Sequence, residues 1–123
     1  MPNPIHYATL QEILHIASFN PSVDAVEFLF ETIDYYLEEA PRLLQDIQVY
    51  QNQANYTALR RAAHTLSSTS ATLGAVNLAA MCTELEILAV NERLTGTNEL
   101  IFQMKAEYQL VEFALEHERQ RYK

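Results

Sequence analysis

The chain has 123 residues, sixteen acidic against eight basic, for a formal charge of −8, with two glycines and one cysteine. Phosphate-cradling and dinucleotide loops need clustered glycines, whereas Gly74 and Gly96 lie far apart, which argues against an autonomous nucleotide-binding enzyme; a lone Cys82 supports neither an internal disulfide nor a cysteine-rich zinc site. An acidic surface without a basic run disfavours nucleic acid and anionic lipid, leaving other proteins or small molecules as partners for a single domain over residues 1–123.

The first residues, MPNPIHYATL, lack the basic and apolar regions of a signal peptide, and no apolar run reaches membrane-spanning length. A reduced, cytoplasmic protein with no metal and no cofactor is the expectation. Apolar residues follow helical spacing nearly throughout, so the chain reads as all-α. Tyr7, Leu10, Leu14 and Ala17 predict a short first helix, which Asn20-Pro21-Ser22 stops while offering caps for the next. Leu29, Ile33, Tyr36, Ala40, Leu43, Ile47 and Tyr50 then alternate steps of four and three, the stripe of a bundle helix. Pro41 falls inside that stripe, where the loss of one backbone donor can kink or locally divide a helix; a bend is predicted, with the stripe continuing beyond it.

Asn55 is the expected cap of a third helix bearing Leu59, Ala62, Ala63, Leu66, Ser70 and Leu73, with Gly74 in the left-handed position past its end. Leu78, Cys82, Leu85 and Ala89 mark a fourth helix, and the cluster from Thr95 to Asn98 a turn around Gly96. Ile101, Met104, Tyr108, Val111 and Leu115 mark the last. These elements predict an antiparallel four-helix bundle with a short additional N-terminal helix.

On the third helix Leu59, Ala63, Leu66, Ser70 and Leu73 fall within about 80° of arc, and His64 points to the opposite side. Arg60 and Arg61 precede it by one turn; Ser67, Ser68 and Ala71 follow it and leave a low patch that a large partner could approach. A neutral imidazole with a free ring nitrogen is a competent nucleophile near neutral pH, and the arginines could stabilise a transferred phosphoryl group. With no nucleotide loop, such a group must come from another protein. The spacing alone leaves open that His64 is an ordinary surface residue. His15 and His117 read as solvated, His6 as part of a frayed terminus, Cys82 as a buried structural thiol, and Glu84 and Glu86 as a solvated face.

The stretch from Arg60 to Ala75, RRAAHTLSSTSATLGA, resembles the signature of histidine-containing phosphotransfer (HPt) domains, and Leu78 to Glu86 is similar to the family's following helix. Tyr36 to Pro41 with Leu43-Leu44 resembles its second helix, including the internal proline. The resemblance implies a four-helix bundle whose His64 takes a phosphoryl group on Nε2 from an aspartate of a receiver domain and passes it to another receiver. It also implies a phosphocarrier without kinase or ATPase activity, magnesium belonging to the receiver, and a monomer. Arg60, Arg61, Ser67, Ser68 and Ala71 would support the phosphoryl group or the partner, and Ile13 or Ile16 of the first helix would add apolar docking surface. The family pattern has lysine and glycine third and fourth after the histidine, where this chain has Ser67 and Ser68; serine is small enough for docking but supplies no charge. Two alternatives are a module that binds receivers without transferring phosphate and a helical adaptor with no receiver partner.

Overall fold

A computed structural model describes residues 3–122. Among them there are five helices and no strand: α1 (Tyr7–Ala17), α2 (Ala25–Asn52), α3 (Tyr56–Thr72), α4 (Val76–Val90) and α5 (Thr97–Arg121). The last four form the antiparallel bundle, with α2 beside α3, α3 beside α4, α4 beside α5, and α5 back against α2; α1 packs on α2. The predicted stripes are the core: Leu29, Ile33, Leu59, Leu66, Leu78, Leu85, Ile101 and Met104 are fully buried. No helix among the described residues is long and apolar enough to cross a membrane.

The caps explain the boundaries. Asn55 accepts a bond from the Ala58 N–H at 3.2 Å, as its position predicted. At α2 the cap is Asp24, which accepts from the Glu27 N–H at 3.1 Å, rather than any residue of Asn20-Pro21-Ser22; Asn20 instead closes its own turn by accepting from the Ser22 N–H.

Pro41 does not divide α2, which runs unbroken from Ala25 to Asn52. The proline cannot donate to the carbonyl four residues back, that of Leu37, and the Tyr108 hydroxyl of α5 donates to this oxygen at 3.4 Å. A second tyrosine ties α2 to α3: Tyr36 and Ser70 share a buried hydroxyl pair at 2.8 Å, which satisfies the one polar residue in the α3 stripe. Burial raises the Tyr36 hydroxyl well above its ordinary range, and the Ser70 bond opposes that rise only in part.

Three turns use the same left-handed cap with different residues. After α3 the Ala75 N–H bonds the Ser70 carbonyl at 2.8 Å and the Gly74 N–H that of Ala71 at 3.0 Å, with Gly74 at φ +79°. Ala54 and Glu92, each at φ +53°, stand in the equivalent place after α2 and α4. Only Gly74 is also pressed by neighbours, since a Cβ there would lie 2.7 Å from the His6 carbonyl oxygen. The His6 N–H donates to the Gly74 carbonyl at 2.7 Å and Ile5 is buried, so His6 belongs to a strap pinned on the α3–α4 turn and not to a frayed end.

Glu92→Gly removes the strain of a Cβ at positive φ and is expected to stabilise the protein by up to about 1 kcal/mol in urea unfolding, while Gly74→Ala costs about 2 kcal/mol or more. Equal effects at the two positions would contradict the distinction drawn from the His6 contact.

Candidate functional site

The side of α3 that faces away from Leu59, Ala63 and Leu66 carries His64, whose side chain is 65% exposed. Its Nδ1 lies 3.2 Å from both carboxylate oxygens of Glu86 on α4, a residue largely shielded at 23% exposure. A carboxylate can only accept, so in the neutral ring this bond puts the proton on Nδ1 and leaves the lone pair on Nε2, the outward atom. Glu86 is therefore not the solvated carboxylate that its position in the sequence suggested; it is the partner of the candidate nucleophile.

The other expected residues divide into two groups. Arg60, Arg61, Ser68 and Ala71 are exposed on the same side of α3 as His64. Neither arginine forms an ion pair among the described residues, so both guanidinium groups are available to an incoming anion. Arg60 borders a shallow recess of about 200 Å³ toward α4, with Tyr56, Val90 and Glu92. Ser67 is turned aside: its hydroxyl donates to the Ala79 carbonyl at 3.1 Å and lies 3.0 Å from the Thr83 hydroxyl, which itself reaches Ala79 at 3.1 Å. That hydroxyl fastens α3 to α4 instead of presenting a donor beside His64.

Three threonines extend the low patch on the α2 side. The hydroxyls of Thr65, Thr69 and Thr72 bond the carbonyls of Arg61, Thr65 and Ser68 at 3.0, 3.1 and 2.9 Å. With the hydroxyls folded back on the helix, the methyl groups are what the surface offers. Thr69 and Thr72 then meet Thr32 and Tyr35 of α2 around a further recess. One turn before Thr32, Phe28 joins Ile13, Ile16 and Val23 in an apolar groove of about 320 Å³ between α1 and the start of α2. Both α1 residues expected to add docking surface are in it.

The remaining candidates are structural. His15 and His117 are exposed, His15 lying edge-on to Phe19 with ring centroids 4.9 Å apart. Cys82 is fully buried, and burial pushes its thiol up to about 12, which leaves it protonated and unreactive. No group of three or more histidine, cysteine or acidic residues among the described residues could hold a metal ion.

The site is thus an exposed histidine held from behind by a carboxylate, on a bundle helix with small residues after it. The family model of the Hpt domain matches residues 31–114, well over half of the chain. The chain belongs to the Hpt domain family, the histidine-containing phosphotransfer domains. Among solved structures, histidine-containing phosphotransfer protein B (HptB) from Pseudomonas aeruginosa PAO1 is similar over the whole of both chains, with a TM-score of 0.87 and 25% sequence identity. No curated protein sequence matches. The family match starts inside α2, so α1 and the strap at Gly74 lie outside it, while the bundle with α1 included follows the HptB architecture.

Glu86 could have been found by counting, because it stands eleven residues past Ala75 and His64 eleven before, the spacing of an antiparallel helix pair folded about that residue. Its role is open to a direct measurement. In the neutral protein, 15N chemical shifts of the His64 ring are expected to report a protonated Nδ1, and Glu86→Ala shifts the population toward the Nε2–H form preferred by free imidazole side chains. An unchanged ring spectrum in Glu86→Ala would contradict the assignment.

Proposed function

We propose that this Hpt protein is a phosphocarrier of a multistep relay in the cytoplasm, in which His64 exchanges a phosphoryl group with aspartates of receiver domains. The observation that carries the reading is the Nδ1–Glu86 bond beneath an exposed Nε2. In the forward step the Nε2 lone pair attacks the phosphorus of a receiver's aspartyl phosphate, the P–O bond breaks, and the receiver carboxylate leaves. The ring becomes a phosphorylated imidazolium whose Nδ1 proton remains against Glu86. In the return step the P–N bond breaks to a receiver carboxylate, and because Nδ1 keeps its proton the leaving group is neutral imidazole rather than an imidazolate.

Arg60 and Arg61 supply the positive charge that the family's lysine would have given, from one turn before the histidine instead of one turn after it. Ser68 and Ala71 admit the partner, and the threonine methyls with the groove at Ile13 and Ile16 give its apolar surface a place to rest. The chain needs no nucleotide, metal or cofactor of its own for these steps, since magnesium acts in the receiver. A second reading, a module that docks receivers without carrying phosphate, draws on one fact: the Ser67 hydroxyl is committed to Ala79 and offers the phosphoryl group nothing.

Incubation with a phosphorylated receiver is expected to transfer acid-labile label to the wild-type chain and none to His64→Gln. Label that persists in His64→Gln would sink the assignment, and a stable receiver complex without label in the wild type would select the second reading. Ser68→Arg, which fills the patch beside His64, is expected to slow transfer on the order of 100-fold while leaving the helical content unchanged. Arg60→Ala with Arg61→Ala should slow it about tenfold through lost charge alone.

A further inference from the structure

The outward side of α5 is unusual for a helix at the surface of a strongly acidic chain. Phe102 is 69% exposed and Phe113 73%, with Leu110 also half out at 49%, although each is large and apolar. Together with exposed Ala106 they fall within about 80° of arc, on the side opposite the buried Met104, Val111 and Leu115. Scattered apolar residues at a surface need no explanation, but a stripe running about 16 Å along one helix does.

The charges beside the stripe say what covers it. Lys105, whose ammonium donates to Gln48 of α2 at 3.1 Å, and Glu112 lie on one flank, and Glu99 and His117 stand in line with the stripe at its two ends. The helix carries Glu99 in its first turn and Arg121 in its last, Arg119 being turned to Asp34 of α2, so a like helix laid antiparallel brings opposite charges together at both ends. A two-fold axis at the level of residue 108 sets Phe102 beside the second copy's Phe113 and Ala106 beside its Leu110, large against small. The same axis sets Lys105 beside the second copy's Glu112, and Glu99 beside its His117 with Arg121 one turn on. The four pairings agree in register to within one residue, and the two members of each lie on the same side of the helix, as an isologous contact requires.

We propose that the chain forms a homodimer through an antiparallel α5–α5 contact. α5 packs on α4 and α2, as α3 does, so the two helices stand at opposite corners of the bundle and the contact leaves both His64 faces outward and accessible. The monomer implied by the family resemblance is replaced by a two-headed carrier whose sites do not compete for space.

Sedimentation and light scattering of the full chain test this. The wild type is expected at twice the 14.1 kDa chain mass at concentrations on the order of 100 µM. Phe113→Glu, at a position already in solvent and therefore harmless to folding, weakens association on the order of 100-fold. Lys105→Glu and Glu112→Lys each weaken it about tenfold, because each pair occurs twice across the axis, and the double variant Lys105→Glu/Glu112→Lys recovers the wild-type value. A wild type that stays at 14.1 kDa well above that concentration, or a dimer indifferent to Phe113→Glu, overturns the proposal. A double variant as weak as the singles overturns the antiparallel register. Phosphotransfer to His64 is expected to be the same in Phe113→Glu, so the outcome is separate from that of the relay assay.

Discussion

The turn at Gly74 governs the His64 site. It returns α4 along α3 in a register centred on Ala75, and that register sets two rungs between the helices, His64 to Glu86 and Ser67 to Thr83. Both rungs need the chain to reverse in residues 73–75, which a left-handed residue at position 74 permits. The turn is itself held from outside by the strap, since the His6 N–H takes the Gly74 carbonyl and the His6 oxygen occupies the space where a side chain would start. A strap far from His64 in the sequence thereby supports the turn that sets both rungs.

The two sides of α3 work under opposite constraints. The inner side is fixed by full burial of Leu59, Ala63 and Leu66 and by the Tyr36–Ser70 bond, whose loss would leave a hydroxyl stranded in the core. The outer side has almost no polar group left to spend: Ser67 is bonded to Ala79, and the three threonines are bonded to their own helix. What remains directed outward near His64 is the imidazole itself, the two guanidinium groups, the Ser68 hydroxyl and a bed of methyls. Such a surface favours a partner that brings its own anion and its own hydrogen-bond donors, and it discriminates by shape and charge more than by a pattern of polar contacts.

Most of the fold was legible in the sequence because it depends on local chemistry. Periodicity marked all five helices, Asn55 marked the start of α3, and glycine at 74 marked its end. The errors came where a distant residue intervenes. At Pro41 the stripe runs on through Leu43 and Ile47 as the periodicity predicts, and only the Tyr108 hydroxyl that serves the stranded Leu37 carbonyl, coming from α5, has no local trace. His6 looked frayed because nothing nearby in sequence holds it. At the site, the wheel placed His64 outward but gave no information about which neighbouring helix would lean over it, so Glu86 was grouped with solvent-facing carboxylates and Ser67 with the open patch.

The substitution of serine for the family's lysine is informative when read with Glu86. A lysine one turn after the histidine would lie next to the same carboxylate, and the two would neutralise each other at short range. With Ser67 in its place and bonded to α4, Glu86 has no competing cation among the described residues, and its charge acts on the Nδ1 proton alone. On the proposed reading, positive charge for a phosphoryl group then comes from the preceding turn, where Arg60 and Arg61 form no ion pair among the described residues. Under that proposal the site separates two tasks that one lysine and one carboxylate would otherwise entangle: holding the ring proton from α4 and receiving the anion from the preceding turn of α3.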